Sequence, residues 1–265
     1  MPELPEVETI VRGLKDRIVS KKVIKIEIKD KKVVSTKIKD LLPFTITNVT
    51  RRAKYLLFHT NTSTTLLCHL RMTGHFHYPQ NKEEVQSSKK YLAATFTFHD
   101  NSTLTHNSIR RLGFLKPCTP NELHTLLQNL GPEPLIISKE EFYHRIAKYQ
   151  TGKIKEKLMD QNVIVGVGNI YAQEALYQSK IHPAKRIDTI TKTQFNLLHK
   201  HIQQILTHSI QLQGTSVKNY SHLAGKGGYQ NHLQIYQKEQ CPKGHATNTL
   251  TIAGRGTYYC PTCQK

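Results

Sequence analysis

Met1-Pro2-Glu3-Leu4-Pro5-Glu6-Val7 is the stretch of this chain with the most reactive chemistry. Removal of Met1 would turn Pro2 into a free secondary amine with the carboxylates of Glu3 and Glu6 nearby. Such an amine attacks a sugar C1′ well, because it closes directly to an iminium without a spare proton to lose. Covalent catalysis of that kind needs an acid/base group beside the nucleophile, and Glu3 is the nearest candidate. The same residues also suit a helix start. Pro5 fits a first turn, and the glutamates favour the positive end of the helix dipole. Both readings stand on this stretch alone.

Two further groups could do chemistry. Val165-Gly166-Val167-Gly168-Asn169 lies between two expected helices. Its glycines would let backbone N–H groups approach an anion, and Asn169 is placed to cap the next helix. Lys153 and Lys155, on the preceding helix, favour a backbone phosphate as that anion over a plain helix–helix turn. Near the C-terminus, Cys241-Pro-Lys-Gly-His245 is followed after fourteen residues by Cys260-Pro-Thr-Cys263. Zinc asks for four ligands in a tetrahedron, and three cysteines with one histidine supply them. The alternative is a finger without metal that persists as a hairpin. Between the halves, Gly254-Arg255-Gly256-Thr257 sets an arginine at a glycine-flanked tip, suited to bidentate phosphate contact.

Basic residues also cluster at strand ends. Arg51-Arg52-Ala53-Lys54 leads into one strand, His69-Leu70-Arg71-Met72-Thr73-Gly74 ends another, and Arg110-Arg111-Leu112-Gly113 opens a third. Each taken singly reads equally as solvated charge, and Met72 as a core residue.

The elements that would hold these groups follow from periodicity. Val7, Ile10, Val11, Leu14 and Ile18 recur at helical steps. From Lys22 to about Pro117 the segments Val23–Ile28, Tyr55–Thr60, Thr65–Leu70 and Tyr91–Phe98 alternate and are rich in β-branched or aromatic residues, as in an antiparallel sandwich or barrel. Thr119-Pro120-Asn121-Glu122 is a capping box, with a helix expected to run through Leu123, Leu126, Leu127 and Leu130 to Gly131. Pro132-Glu133-Pro134 marks a domain boundary. Helical spacing resumes over 140–148, 154–159, 170–178 and 193–211, and 214–230 has no period. The expected division is 1–131, 132–230 and a finger over 231–265.

Lys and Arg total 38 against 19 Asp and Glu, a formal net charge of +19 spread along the 265 residues. A field of that sign points to a polyanion, with nucleic acid ahead of an anionic membrane. No apolar run approaches a spanning helix, and the N-terminus lacks a secretory pattern. Three of the five cysteines crowd the last 25 residues, as in a metal site of a reducing compartment. Cys68 and Cys118 sit in apolar stretches as plain core residues. A cytoplasmic, nucleoid-associated protein is expected.

In order along the chain, these motifs resemble the formamidopyrimidine-DNA glycosylase family: Pro-Glu-Leu-Pro-Glu-Val-Glu at the start, Arg-Arg-Ala-Lys-Tyr-Leu-Leu at 51–57, His-Leu-x-Met-x-Gly at 69–74, Leu-Gly-Pro-Glu-Pro-Leu at 130–135, Asp-Gln-x-Val through Val-Gly-Asn-Ile-Tyr-Ala at 160–172, and Gly-Arg-x-Thr-x-Tyr-Cys-Pro-x-Cys-Gln at 254–264. The resemblance implies a β-sandwich bearing the N-terminal helix, then a helix–two-turn–helix module with a zinc finger, an α+β multidomain protein with DNA in the cleft. It implies excision of oxidised purines such as 8-oxoguanine and formamidopyrimidines, then nicking of the abasic strand. Pro2 would attack C1′, Glu3 protonate the opening sugar, Lys54 assist β-elimination, and Arg255 grip phosphate and assist δ-elimination. Glu6, His69, Tyr91, Lys153, Lys155 and Asn169 would contact DNA, with Asn169 and Lys155 on the phosphate beside the lesion. Met72, Arg110 and Leu112 would fill the gap left by the flipped base. One structural zinc would sit on Cys241, His245, Cys260 and Cys263, and the partner would be duplex DNA with oxidised bases or abasic sites, bound by a monomer.

The chain departs from that pattern in places. Leu112 stands where the family usually has Phe, Ser108 where Asp is usual, and Tyr91 follows Lys90 where a Lys-His pair is common. Gly244 occupies the position of the second zinc cysteine.

Overall fold

Residues 2–79, 91–216 and 227–265 are described by the computed structural model. They divide into two compact units. The first comprises Met1–Pro2, Glu6–Asn129 and Thr215–Gly227, the second Glu3–Pro5, Leu130–Gly214 and Gly228–Lys265.

In the first unit, α1 (Leu4–Ile18) turns Val7, Ile10, Val11, Leu14 and Ile18 onto one buried face. Each such side chain contributes about 2 kcal/mol when taken from water. Eight antiparallel strands follow: β1 (Lys22–Ile28), β2 (Phe44–Arg52), β3 (Tyr55–Thr60), β4 (Thr65–His69), β5 (Gly74–His77), β6 (Leu92–Phe98), β7 (Thr103–Ser108) and β8 (Phe114–Cys118). Their order is β5-β7-β6-β1-β2-β3-β4-β8. The ladder narrows to the pairs Lys22↔Thr45 and Val23↔Phe44 between β1 and β2, and the sheet folds there into two layers. Phe58 of one layer meets Phe76 of the other edge to face, with ring centroids 5.4 Å apart. Cys68 is fully buried in this core.

The capping box forms as expected, with Glu122 N–H donating to Thr119 Oγ1 and Thr119 N–H to Glu122. The helix it starts, α2 (Pro120–Leu127), is shorter than its leucine spacing suggests. Leu123 and Leu127 pack beside Leu57, Leu67 and Cys118, but Leu126 is exposed and Leu130 lies outside the helix. Gly131 does not end it. A Cβ there would stand 2.7 Å from the Val163 backbone, so this glycine serves close packing in the second unit.

The second unit is built on α3 (Lys139–Ala147), α4 (Ile154–Met159), α5 (Asn169–Gln178) and α6 (Lys192–Gln211). Phe142, Ile146, Leu158, Tyr171, Leu176 and Phe195 are among its buried core. The reversal between α4 and α5 is held by Gln161, whose amide donates to Met159 O and Val167 O and accepts from Gly166 N–H. The C-terminal hairpin, β9 (Asn248–Ile252) and β10 (Arg255–Tyr259), turns at Ala253 and Gly254, both at positive φ, the twist that suits a tight hairpin. The Cys/His segment belongs to this same compact unit. Glu174, fully buried on α5, accepts from the N–H groups of Gln234, Ile235 and Tyr236 and so anchors the entering chain.

Candidate active site and metal centre

Pro2, Glu6, Lys54, His69, Met72, Tyr91, Arg110 and Leu112 fall in the first unit; Glu3, Lys153, Lys155, Asn169, Arg255 and the four Cys/His residues fall in the second.

In the first unit Pro2 and Glu6 are buried at the head of α1, and Glu6 Oε1 accepts from Thr215 N–H at 2.8 Å. The turn from β2 to β3 places Ala53 at φ +55° and buries Lys54. Arg51 clamps that turn, its Nε on Glu8 at 3.0 Å and its Nη1 on Ala53 O at 2.9 Å. Beside Lys54, His69 ends β4 with Tyr55 edge-on to its ring. Burial, then the charges of Arg71 and Lys54, hold its imidazole down to about 4. His69 Nδ1 accepts from Arg71 N–H at 3.0 Å, which leaves the proton of the neutral ring on Nε2.

Two loops present the residues expected to fill a vacated base site. Met72 and Leu112 are exposed, Leu112 by 53%. Arg110 donates to Met72 Sδ at 2.9 Å, and its N–H donates to Thr73 Oγ1 at 2.9 Å. Met72 is thus a surface residue and not a core one. Arg111, at φ +54°, is bidentate on Asp30, and Gly113 lies so close to His69 O that a Cβ would stand 2.6 Å from it. Tyr91 is 40% exposed just before β6. Within 214–230, residues 217–226 lie outside the described residues, as does Lys90.

The glycine-rich turn of the second unit holds the carboxylate of Glu3. Ile170 N–H donates to Glu3 Oε1 at 2.9 Å, and Tyr171 N–H approaches Oε2 at 3.4 Å, so the carboxylate sits on the N-terminus of α5. Gly168 makes room for it; a Cβ there would stand 2.4 Å from Glu3 Cδ. Gly166, at φ +79°, abuts Leu4, whose N–H donates to Gly166 O. Asn169 does not cap α5. The N-cap is Gly168, and Asn169 Oδ1 instead accepts from Lys155 Nζ at 2.6 Å.

Lys155 is fully buried and also donates to Thr257 Oγ1 at 2.8 Å. Desolvation first, with Arg255 adding to it and Glu3 opposing, brings its ammonium down to about 8. Its charge reaches the surface through Asn169, which is half-buried. Lys153 precedes α4 as its N-cap and does not lie on it; its side chain is exposed, while its backbone bridges Arg186. Arg255 is exposed beside the hairpin turn. Sequence reasoning missed Gln173 and Glu174, because nothing local shows that α5 is buried on its polar side as well, over Tyr171–Tyr177.

Cys241, His245, Cys260 and Cys263 bring their ligand atoms within 4.8 Å of one another. His245 directs Nδ1 at the three sulfurs, 3.3 Å from Cys263, 3.7 Å from Cys241 and 3.8 Å from Cys260. Those edges suit a tetrahedron of zinc ligands at about 2.0–2.3 Å. Gly244, at φ +80°, with open space around it, turns the chain so that His245 reaches inward. Tyr177 and Ile235 pack in one buried cluster with Cys241 and Cys260. The residues therefore fit a zinc site despite the missing cysteine.

An antiparallel sandwich headed by α1, helices paired around a tight reversal and a Cys/His finger thus make up the described chain. Residues 1–115 match the formamidopyrimidine-DNA glycosylase N-terminal domain, 130–221 the H2TH domain of the same enzymes, and 244–265 a zinc finger found in FPG and IleRS. The chain is 36% identical to the formamidopyrimidine-DNA glycosylase of Lactococcus lactis over the full length of both, and 34% identical to that of Streptococcus pneumoniae, covering all of this chain and 99% of the other. A solved complex of the Lactococcus lactis Fpg with DNA containing an abasic site superposes with a TM-score of 0.90 at 35% identity, covering 99% of each chain. A mutant of that protein with Fapy-dG DNA also gives 0.90 over all of both chains. The chain belongs to the formamidopyrimidine-DNA glycosylase family. No described helix is long and apolar enough to cross a membrane.

Proposed function

We propose that this chain is a bifunctional DNA glycosylase and abasic-site lyase that removes oxidised purines, 8-oxoguanine and formamidopyrimidines among them. The nitrogen of Pro2, once Met1 is gone, bonds to C1′ as the glycosidic bond breaks and the base leaves with a proton. Glu3 protonates the ring oxygen as the sugar opens, which yields the iminium. Loss of the C2′ proton, assisted by Lys54, expels the 3′ phosphate, and δ-elimination assisted by Arg255 expels the 5′ phosphate. The observation that carries this reading is the placement of Glu3. Its carboxylate is fixed on two amides of α5, one residue from Pro2, in space that Gly168 keeps open.

A stacked duplex hides C1′, so the target nucleotide must be extruded and its place filled. Met72, Arg110 and Leu112 are the group suited to that, at an unstacking cost of a few kcal/mol offset by phosphate contacts. Leu112 offers less stacking surface than a phenylalanine would. Glu6, His69, Tyr91, Lys153 and Asn169 face DNA, and Lys155 acts through Asn169. The partner is duplex DNA with oxidised or abasic sites, of the kind in the solved complexes of the Lactococcus lactis protein. One zinc ion per chain ties the finger together. Residues 1–131, 132–230 and 231–265 act as catalytic, helical and finger parts of a monomer working in the cytoplasm on the nucleoid.

Glu3→Gln separates the steps. Excision of 8-oxoguanine should fall by about 100-fold or more, with far less effect on nicking of preformed abasic sites. Equal loss of both activities would refute the role given to Glu3.

A further inference from the structure

Arg255 stands at the turn end of a two-stranded hairpin. Among the described residues, chain neighbours apart, nothing comes within 4 Å of where a Cβ would stand on Gly254 or Gly256. A hairpin of two strands is marginal by itself, and the Cys/His ligands lie beyond its other end, past Tyr259. The Arg255 end is fixed instead by α5 and α4. Gln173, 1% exposed on α5, uses both ends of its amide: Oε1 accepts from Tyr258 N–H at 2.6 Å, and Nε2 donates to Asn169 O at 2.7 Å. Asn169 Nδ2 donates to Gly256 O at 3.2 Å, and Lys155 reaches Thr257. Three consecutive residues of β10 are thus each tied to the start of α5 or to Lys155.

We propose that Gln173 is a positioning residue for strand cleavage, clamping β10 to the first turn of α5 so that Arg255 and Asn169 keep a fixed register toward one DNA phosphate. It touches no substrate itself. The clamp matters for the δ step in particular, because Arg255 projects from the strand that Gln173 holds, whereas Pro2 and Glu3 lie on other segments. The proposal rests on the role given above to Arg255. Loss of a buried amide with donor and acceptor both engaged leaves Tyr258 N–H without its partner, which favours displacement of the strand over a tighter repacking.

The test uses the full-length enzyme on duplexes bearing 8-oxoguanine or an abasic site. Gln173→Leu keeps the volume and removes all the amide's hydrogen bonds, the long one from Nε2 to Gly256 O at 3.5 Å included; Gln173→Glu keeps the acceptor for Tyr258 and loses the Nε2 donor. The δ-product, ending in a 3′ phosphate, should fall about tenfold in Gln173→Leu, with β-only ends accumulating and the borohydride-trapped adduct kept within about twofold. Gln173→Glu should fall between it and the wild type, and decides the matter if Gln173→Leu does not fold. Amide exchange at Tyr258 should quicken while that of Gln234–Tyr236, held by Glu174, stays unchanged. An unchanged ratio of δ to β ends, a proportional fall of adduct and δ-product together, or unchanged exchange at Tyr258 would overturn the proposal. Arg255→Ala run beside these separates the two ideas. If it leaves the δ-product intact, the role of Arg255 is what fails, and the proposal about cleavage falls with it, whatever the exchange at Tyr258.

Discussion

His106 is fully buried in β7, stacked on Phe76 at 4.7 Å, and neither ring nitrogen has a hydrogen-bond partner among the described residues. Burial first, then the nearby His75, pushes its imidazole down to about 3. Such a group stabilises little and resists protonation. His106→Leu should therefore raise stability by about 1–2 kcal/mol, read from the urea midpoint; a loss of stability would mean the ring is satisfied. His69 and His106 also set the acid limit of the fold. Each has a folded-state value below its ordinary 6.5, so the unfolded chain takes up protons that the folded one refuses. Their share of stability is complete above pH 6.5 and is lost as the pH falls toward about 4, by about 3 kcal/mol for His69 alone. In His69→Gln the slope between those limits should flatten; an unchanged slope would contradict the burial of a neutral ring. The four Cys/His positions were readable because their spacing is unusual outside a metal site, whereas Lys54, one of several basic residues at a strand end, stood out only through the family resemblance. The burial of Lys155 was not, since nothing local shows that its partners Asn169 and Thr257 lie 14 and 102 positions away.

Elements were legible where one face is apolar and the other wet. The five apolar residues of α1 and the alternation along β6 are of that kind. β3 and β4 are buried along most of their length and stand out instead as short apolar runs between polar turns. β5 is only four residues long, and β7 buries His106, Asn107 and Ser108, so neither shows as an apolar strand. The leucines after Thr119 overstated α2, because Leu126 faces solvent. At the glycine-rich turn, glycine spacing correctly implied close approach of an anion but could not say which. That identity yields a prediction. Gly168→Ala would drive a Cβ into Glu3, so excision of 8-oxoguanine should fall about 100-fold while nicking of abasic DNA falls much less. Unaltered excision would show that Glu3 needs no such space. The finger is the other informative element. His245→Ala should release the zinc that metal analysis is expected to find at about one per chain; a metal-free wild type with full activity would favour a finger held by contacts such as those of Glu174 and Gln173 instead.

At the scale of the molecule, charge and chain path matter most. A formal charge of +19 on 265 residues makes the phosphate backbone the main source of affinity. The logarithm of the binding constant should fall linearly with the logarithm of salt, by about 0.9 for each phosphate neutralised, and in parallel for intact and abasic duplexes. Different slopes for the two would place extra ionic contacts at the lesion itself. The chain passes from one compact unit to the other between Pro2 and Glu3. The proposed nucleophile and its proposed acid are covalent neighbours counted in separate units, an arrangement no local pattern could announce. Reducing the enzyme with borohydride on an 8-oxoguanine duplex, then mapping the adduct by mass spectrometry, tests the core of this chemistry directly. The deoxyribose remnant should sit on the peptide that begins at Pro2 and vanish in Pro2→Gly. A remnant on Lys54 or another lysine in the wild type, or an undiminished adduct in Pro2→Gly, would contradict it.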